Sequence, residues 1–400
     1  MKIVVAHERY MRAGGEDEVF ETETAMLESR GHEVIRFEED NERIGEMSKI
    51  LVAAGTTWNP AARREIGELV RRERPDLVHF HNTFPLLSPA VYHAVAAEGI
   101  PVVQTLHNFR LICPKAQLFR EGEPCEDCVG RRVAWPGVLH ACYRDSRAGT
   151  AAVAAMLATH RAIGTYSDTV TRYIVLTEFA KRKFVEGGLP AERLAVRPNF
   201  LAPDPGPGDH SGEHALFVGR LSEEKGIDDL LDAWDRLGER IPLHVIGEGP
   251  LSDRVAAAAR SGGIVWHGRL KRQAVIGKMR DARFLVFPSR WYEGYPLVIV
   301  EAFATGMPVL ASDLGAMRSM VSDRETGLRF RPGDPDALVR AVEWMLDHPA
   351  ETNRMGERAR ATYLEHYTEE RAYERLIEIY EEARASVAGS NRRPASASVR

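Results

Sequence analysis

Residues Pro203–Gly212, PDPGPGDHSG, interrupt the chain close to its middle. Three prolines, three glycines and two aspartates fill these ten positions, and such a segment cannot continue a helix or a central strand. On both sides of it, short apolar runs alternate with amphipathic stretches. We therefore expect two domains that are joined near residue 205.

The alternation predicts the same fold class on both sides of this segment. Val19–Arg30 is typical of an amphipathic helix, with Gly31 just past its end. Strands that alternate with helices of this length form βαβ units and a parallel sheet. The predicted strands are Ile3–Ala6, Glu33–Phe37, Asp76–Phe80, Val102–Leu106, Tyr173–Thr177, Leu194–Arg197, Ala215–Val218, Leu243–Ile246, Ile264–His267, Arg283–Pro288 and Val309–Ser312. The fold class is α/β, with two Rossmann-like, doubly wound domains.

Composition excludes several classes of protein. Of the 400 residues, 44% are hydrophobic and 28% are charged, so a disordered chain, a collagen and a coiled coil are excluded. The formal net charge of −5 gives no bulk attraction to nucleic acid. No apolar run approaches the length of a membrane-spanning helix, and Met1–Ala6 is too short and too soon polar for a signal peptide. We expect a cytoplasmic protein whose four cysteines are reduced or bound to metal.

Two motifs of the second half carry the charges expected of an anion site. In Phe217–Gly226, FVGRLSEEKG, Arg220 and Lys225 follow a predicted strand, and both cations can bind a phosphate group. Taken alone, two basic residues in a loop are usually solvated surface, and this is the alternative. In Glu293–Glu301, EGYPLVIVE, Pro296 suits the first position of a helix. The backbone N–H groups of Leu297 and Val298 would then attract an anion. Glu293 and Glu301 could face the same bound molecule from its two ends.

Two features of the first half lie at predicted strand ends. Gly14–Gly15 follow the first strand and precede an acidic helix start, which permits close approach of a ligand to the backbone. The pair is no GxGxxG fingerprint, and a flexible loop is the alternative. His107 ends the strand Val102–Leu106, where a ligand contact and a structural role are equally compatible with its position.

Taken together, Gly219-Arg220, Lys225-Gly226, Glu293–Leu297, Glu301-Ala302 and Gly306–Val309 resemble the retaining glycosyltransferases of family 4. The resemblance extends to about residue 386. It implies the GT-B architecture, in which two Rossmann-like domains enclose a cleft. It also implies an N-terminal acceptor domain over 1–203, a nucleotide-sugar donor domain over 212–367, and a C-terminal helix over 368–386 that returns to the first domain. The Ser-, Ala- and Arg-rich tail, 388–400, is expected to be disordered.

The resemblance assigns roles position by position. Arg220, Lys225, Gly15 and the amides of Leu297 and Val298 would bind the diphosphate of a nucleotide sugar. Glu301 would bind the ribose. Glu293 would hold hydroxyls of the donor sugar, and His107 would lie beside the transferred sugar.

The resemblance also implies a mechanism of positioning and charge stabilisation. No Asp or Glu is an evident nucleophile. The resemblance implies front-face attack, in which the departing diphosphate takes the proton of the acceptor. No catalytic metal is expected. Asp334-Pro-Asp336 has the form of a metal-binding DxD, but it opens a predicted helix, so we assign Asp334 a capping role.

The cysteines depart from the common pattern of the family. Cys125 and Cys128 form a C-x2-C pair, with Cys113 and Cys142 at some distance on either side. Four cysteines could form a tetrahedral structural zinc site. Reduced buried thiols and a redox pair are the alternatives.

Partners and competing functions follow from the same features. A nucleotide sugar and a hydroxyl-bearing acceptor are expected in the assembly of a bacterial polysaccharide or glycolipid; glycosylation of a small natural product is the alternative. The Ala-rich stretch Arg147–Ile163 would serve either peripheral membrane contact or packing on the sheet. A nucleotide-sugar epimerase and a non-catalytic nucleotide-sugar-binding protein remain as functional alternatives.

Overall fold

The computed structural model describes residues 1–9 and 15–391. The chain divides into two compact units. Unit 1 comprises Met1–Gln117, Glu126–Arg197 and the chain from Tyr373 onward; unit 2 comprises Leu118–Cys125 and Pro198–Ala372. The segment expected to link two domains, Pro203–Gly212, therefore lies inside unit 2.

The first half of the described chain forms a parallel sheet with helices between its strands. The strands of this sheet are β1 Lys2–Arg9, β2 Glu33–Asp40, β3 Leu77–Phe80, β4 Val102–Leu106, β7 Arg172–Val175 and β8 Leu194–Val196. Between β4 and β7, the short strands β5 Phe119–Arg120 and β6 Glu123–Pro124 form a separate antiparallel pair. The helices of this half are α1 Gly15–Ser29, α2 Lys49–Thr57, α3 Pro60–Glu73, α4 Ala90–Ala97, α5 Trp135–Leu139, α6 Arg147–Ala162 and α7 Glu178–Glu186.

The second half repeats the pattern. Its strands are β9 Ala215–Val218, β10 Leu243–Ile246, β11 Ile264–Trp266, β12 Phe284–Phe287, β13 Val309–Ser312 and β14 Gly327–Phe330. Its helices are α8 Ile227–Leu237, α9 Ser252–Arg260, α10 Arg272–Asp281, α11 Leu297–Thr305, α12 Gly315–Met320, α13 Pro335–Asp347 and α14 Pro349–His366, and α15 Glu369–Asn391 follows them.

Both sheets are doubly wound. The strand order is β2-β1-β3-β4-β7-β8 in unit 1 and β11-β10-β9-β12-β13-β14 in unit 2, with parallel pairing throughout these two sheets. The order reverses between β1 and β3 and again between β9 and β12. In such sheets ligands bind outside the carboxyl ends of the strands at the point of reversal, and the prediction of two Rossmann-like parallel sheets is confirmed.

Alternate residues of a central strand show why each sheet needs two layers of helices. In β12, Phe284 and Val286 pack into one apolar cluster, whereas Leu285 and Phe287 pack into another. All four side chains are buried. Burial on both faces explains the continuous apolar run FLVF in the sequence.

The Pro- and Gly-rich segment has a packing role that its composition concealed. The ring of His210 lies 2.9 Å from the carbonyl oxygens of both Ala282 and Thr305. Gly208 donates its N–H to the same Thr305 oxygen, and a Cβ at Gly208 would meet the oxygen of Arg280 at 2.1 Å. The segment is thus held against unit 2 by specific contacts.

The C-terminal region differs from the prediction at its end. The helix predicted over 368–386 is α15, which begins at Glu369 and continues to Asn391, so residues 388–391 of the predicted tail are helical. Residues 392–400 of the predicted tail lie outside the described residues. Asp334 caps α13 by accepting the N–H of Ala337 at 2.9 Å, which confirms the capping role. Across the described chain, no helix is both long enough and apolar enough to cross a membrane.

Candidate functional site

The predicted anion-binding residues of unit 2 lie on both sides of the point where its strand order reverses. Arg220 and Lys225 follow β9, and Glu293 follows β12, the neighbouring strand. Parallel strands deliver both loops to the same edge of the sheet. This geometry explains how Lys225 and Glu293, which are 68 positions apart in the chain, come into contact.

The central contact is an ion pair between Lys225 and Glu293. The ammonium nitrogen of Lys225 donates to Oε1 of Glu293 at 2.7 Å and to Oε2 at 3.0 Å. Ser289 donates its hydroxyl to the same Oε1 at 2.6 Å. Glu293 is buried, with 5% of its surface exposed, and a buried carboxylate requires such partners. The sequence predicted separate roles for the lysine and the glutamate but did not predict that they pair.

Two aromatic rings also lie beside the ammonium group of Lys225. Nζ of Lys225 lies 5.6 Å from the ring centre of Phe287 and 5.4 Å from that of Trp291, within the range of cation–π attraction. An ammonium group has three N–H donors, and two point at Glu293. Within the described residues, the third N–H has no hydrogen-bond acceptor and is available to a ligand.

Trp291 connects this contact to a hairpin that comes from the first half of the sequence. The ring of Phe119 on β5 meets the ring of Trp291 edge-on at 6.3 Å between centres. The turn of the hairpin also approaches the loop after β9, which carries Lys225, because a Cβ on Gly122 would lie 3.1 Å from the carboxylate of Glu223. The indole N–H of Trp291 is buried and has no acceptor among the described residues. Nothing in the sequence analysis pointed to Ser289, Trp291 or this hairpin.

Arg220 and the start of α11 supply further positive charge. Arg220 is exposed, and within the described residues its guanidinium has no acidic partner. Pro296 precedes α11 as its N-cap, whereas the sequence placed it one position inside the helix. Leu297 and Val298 are the first two residues of α11, where backbone N–H groups lack partners inside a helix.

Glu301 sits inside α11 and already has a cationic partner. Its Oε1 lies 3.3 Å from Nε of Arg272, the first residue of α10. Arg272 is partly exposed. A ligand hydroxyl at Glu301 would therefore share the carboxylate with Arg272 or displace it.

In unit 1, the structure places His107 at the end of a chain of buried polar side chains. Nε2 of His107 lies 3.0 Å from Nδ1 of His81. Burial lowers the pKa of His81 to about 4 and lowers the pKa of His107 well below its usual range. Both rings are therefore neutral near pH 7. His79 and His81 were not among the predicted site residues, although His79 lies on β3 and His81 directly after it, and a spacing of two in extended chain places both side chains on one face.

His107 also lines a pocket at the carboxyl ends of β3 and β4, together with Gln104, Arg110, Met156 and Tyr166. Oε1 of Gln104 and the hydroxyl of Tyr166 are buried without partners among the described residues. An unpaired acceptor and an unpaired donor in one pocket suit a polar ligand.

The glycine loop of unit 1 is described only in part. Gly15 is the first residue of α1, and a Cβ there would meet nothing within 4 Å. Gly14 lies outside the described residues.

The four cysteines predicted as a zinc site are not part of the tight group of possible metal ligands found among the described residues. Among the described residues, a single group of three or more His, Cys, Asp or Glu side chains has all its ligand atoms within 4.8 Å of one another, and it is Glu23, His79 and His81. No cysteine belongs to it. Cys128 instead packs into a small apolar cluster with Ala134 and Ala154, as a buried thiol does.

Comparisons with known proteins agree with this geometry. Residues 13–204 match the family model described as Glycosyltransferase Family 4, and residues 207–362 match the model described as Glycosyl transferases group 1. The D-rhamnosyltransferase WbpZ of Pseudomonas aeruginosa is 31% identical over 158 residues, which are 38% of this chain and 41% of the relative. The O-antigen chain mannosyltransferase C of Escherichia coli is 29% identical over 170 residues, 41% of this chain and 45% of the relative. The chain thus spans less than half the length of these two curated relatives.

A solved structure shares the fold over almost the entire chain. The Anabaena protein HepE, crystallised with UDP and glucose, superposes with a TM-score of 0.66 at 16% identity, covering 95% of this chain and 99% of its own. At this identity the likeness concerns the fold alone. Because both halves match models of one enzyme family, and the two doubly wound sheets match its architecture, the protein belongs to the family 4 (group 1) glycosyltransferases of GT-B fold.

Proposed function

We propose that this protein is a retaining glycosyltransferase that transfers a sugar from a nucleoside-diphosphate sugar to an acceptor hydroxyl. One observation carries the proposal. The Lys225 ammonium group is fixed between a buried carboxylate and two aromatic rings at the reversal point of the second sheet. In the part of the chain that the structure describes, one of its three N–H donors has no acceptor.

Positive groups at this edge of the sheet would bind the diphosphate. The spare N–H of Lys225 and the guanidinium of Arg220 would contact phosphate oxygens. The amides of Leu297 and Val298 would add the positive end of the α11 dipole. This charge stabilises the diphosphate as it departs, which is where negative charge develops during the reaction.

The two glutamates would bind the two sugars of the donor. The carboxylate of Glu293 accepts three hydrogen bonds from Lys225 and Ser289, and a carboxylate offers about four acceptor positions. One position therefore remains for a hydroxyl of the transferred sugar. Glu301 would accept the ribose hydroxyls, with the partly exposed Arg272 moving aside.

The proposed chemistry needs no carboxylate nucleophile. The acceptor oxygen forms a bond to the anomeric carbon on the face from which the diphosphate leaves. The bond between that carbon and the phosphate oxygen breaks, and the proton of the acceptor passes to the departing phosphate. The protein positions the reactants and stabilises charge. A retaining glycosidase would instead place a nucleophile and an acid about 5 Å apart.

The acceptor class is proposed from the relatives and from unit 1. A D-rhamnosyltransferase and an O-antigen chain mannosyltransferase are among the relatives, which supports a growing polysaccharide or a glycolipid as the acceptor. The pocket beside His107 offers a buried donor and a buried acceptor to a hydroxyl group.

Exposed apolar side chains on two helices of unit 1 support contact with a membrane that carries such an acceptor. Ile50 and Leu51 of α2 are 79% and 65% exposed, and Trp135 and Leu139 of α5 are 54% and 56% exposed. Both helices pack against α6, the Ala-rich helix. Exposed apolar side chains on short helices are typical of surfaces that lie on a bilayer.

Co-flotation with lipid vesicles tests the proposed membrane contact. The Ile50→Ser, Leu51→Ser double variant is expected to lose most of its co-flotation with vesicles of phosphatidylcholine and phosphatidylglycerol. Leu364→Ser is the matched control, because Leu364 is an exposed leucine on α14 in unit 2. Equal flotation of the double variant and the control would contradict membrane contact through α2.

A panel of donors tests the transferase activity. Hydrolysis of UDP-, GDP- and dTDP-sugars by the purified protein is expected for one nucleotide, and an acceptor screen is then run with that donor. Proton NMR of the first-formed product reads the configuration at the anomeric carbon. The same configuration as in the donor is expected, whereas an inverted product would contradict retention. Donor binding without hydrolysis or transfer would favour a non-catalytic nucleotide-sugar-binding protein.

A further inference from the structure

A chain of buried side chains runs through unit 1 to His107. Arg197 donates to Oε2 of Glu23, and both residues are fully buried. Oε1 of Glu23 lies 3.1 Å from Nε2 of His81. Nδ1 of His81 lies 3.0 Å from Nε2 of His107. The His81 and His107 rings are stacked at 5.2 Å between centres.

Arg197 determines the charge at the start of this chain. Burial alone would raise the pKa of Glu23, but the Arg197 guanidinium, with His81 and His79, lowers that pKa well below its ordinary range. Glu23 is therefore ionised near neutral pH. An ionised carboxylate accepts hydrogen bonds and cannot donate one.

The direction of each hydrogen bond then follows. Because Glu23 can only accept, His81 must carry its proton on Nε2. His81 is neutral, with a pKa of about 4, so its Nδ1 has no proton and must accept. The donor to that Nδ1 is Nε2 of His107. A neutral His107 with a proton on Nε2 has none on Nδ1.

We propose that Glu23 and His81 are positioning residues that fix His107 in the tautomer with a bare Nδ1. This inference rests on the proposed function for its use in catalysis. Within the described residues, Nδ1 of His107 has no hydrogen-bond partner, and the ring lines the pocket of unit 1. His107 can then accept a hydrogen bond from a substrate hydroxyl and cannot act as a general acid.

Glu23 and His81, together with His79, are close enough to one another to hold a metal ion. The other contacts of these residues argue against a cation there. The guanidinium of Arg197 already supplies a positive charge to the carboxylate. His79 is also engaged on its far side, with Nε2 at 2.8 Å from the hydroxyl of Thr105. A divalent ion would stand beside the buried guanidinium and repel it.

The tautomer can be measured directly in the wild-type protein without any substrate. Two-bond proton–nitrogen NMR correlations on ¹⁵N-histidine-labelled protein distinguish the two neutral tautomers, and the His107→Gln variant assigns the signals. We expect His107 to be neutral at pH 7 with its proton on Nε2. A proton on Nδ1, or on both nitrogens, would overturn the proposal, as would stoichiometric metal in the purified protein.

A pair of variants tests the role of Glu23. In Glu23→Gln the amide can donate to His81 as well as accept from it, so His107 should populate both tautomers. We expect kcat to fall by about tenfold or more, as for other partners that orient a functional side chain, with little change in the KM for the donor. His79→Gln is the control: it contacts the same carboxylate but not His107, so the His107 tautomer should persist.

The outcomes separate this inference from the proposed function. A Glu23→Gln protein that is folded by circular dichroism, with an unchanged His107 tautomer and an unchanged kcat, would overturn the positioning role. If Glu23→Gln does not fold, the wild-type spectrum alone decides the tautomer. A correct tautomer in a protein that hydrolyses no nucleotide sugar would contradict the proposed function and leave the hydrogen-bond assignment standing.

Discussion

At the scale of single residues, the site of unit 2 depends on a charge that is already compensated. Lys225 is paired with Glu293 before any ligand arrives. Because of this ion pair, the charge of the partly buried Lys225 is compensated even when no phosphate is bound. The pair also means that neither residue can be removed without leaving the other side chain with an unpaired charge.

Glu293→Gln tests the role of the carboxylate with the smallest change of shape. The amide can still accept from Lys225 and Ser289, but it binds a sugar hydroxyl less strongly because it carries no charge. We expect kcat for transfer to fall by about a hundredfold, with a smaller change in affinity for the nucleoside diphosphate. Steady-state kinetics and calorimetry measure the two effects. Unchanged transfer and donor hydrolysis would show that Glu293 does not hold the sugar.

At the scale of elements, a glycine fixes how the two loops of the site meet. Gly226 follows Lys225 directly and has φ of +69°. A Cβ at Gly226 would lie 2.0 Å from the carbonyl oxygen of Pro288, at the start of the loop that carries Ser289 and Glu293. The loop after β9 therefore sets the position of the loop after β12.

Gly226→Ala is expected to separate these loops. The methyl group must push Pro288 away, so we expect a loss of stability of more than about 2 kcal/mol and weakened binding of the nucleoside diphosphate. Gly31→Ala is the matched control, since Gly31 also has a positive φ, +80°, but a Cβ there would meet nothing within 4 Å. Urea denaturation and calorimetry compare the two variants. Equal losses would show that backbone strain, and not contact with Pro288, is the cause.

The same scale shows what the sequence can and cannot predict. The strands Val102–Leu106 and Ala215–Val218 match their predictions to the residue, because each is a short run of buried or partly buried residues that differs from the sequence on either side of it. Gly327–Phe330 was missed, since a glycine and an arginine in a four-residue edge strand leave too little apolar pattern. The hairpin of β5 and β6 was missed because its packing partner, Trp291, is remote in sequence.

The residues of the site also divide into those that the sequence could predict and those that it could not. The loops after β9 and β12 could be predicted, because strand ends and charged motifs are local features. The partners within the site could not, because the contacts of Lys225 with Glu293, and of Glu301 with Arg272, depend on the order of strands in the sheet. The buried chain from Arg197 to His107 likewise joins residues that are far apart in the sequence.

At the scale of the whole molecule, buried neutral histidines occur in both units. In unit 1, burial lowers the pKa of His81 to about 4; in unit 2, burial lowers the pKa of His244 to about 4 as well. Several others have pKa values lowered in the same direction, namely His7, His32, His93, His107, His160, His214 and His267. Glu8 acts in the opposite direction, because burial raises its pKa to about 7.

These shifts predict that stability decreases as the pH falls from about 7.5 to about 5.5. Below about pH 6.5 the unfolded chain binds protons at these histidines while the folded chain does not, so the free energy of unfolding falls. A fully buried histidine such as His81 contributes on the order of 1 kcal/mol to this loss. Glu8 offsets part of it, because the folded chain binds a proton there that the unfolded chain lacks. Urea midpoints at the two pH values measure the difference.

The Glu8→Gln variant sharpens this measurement. Removing the opposing carboxyl group should make the midpoint depend more steeply on pH over the same interval. A wild-type midpoint that is equal or higher at the lower pH would contradict the dominance of the histidines.

The central claim is that the edge of the second sheet, at Arg220 and Lys225, binds the diphosphate of a nucleotide sugar. Calorimetric titration of the preferred nucleoside diphosphate into the wild type, Arg220→Ala and Arg340→Ala tests it most directly. Arg340 is the control, as an exposed arginine on α13 of the same unit. We predict roughly a tenfold or greater loss of affinity for Arg220→Ala and an unchanged affinity for Arg340→Ala. Equal affinities for all three proteins, or no binding of any nucleoside diphosphate to the wild type, would contradict the claim.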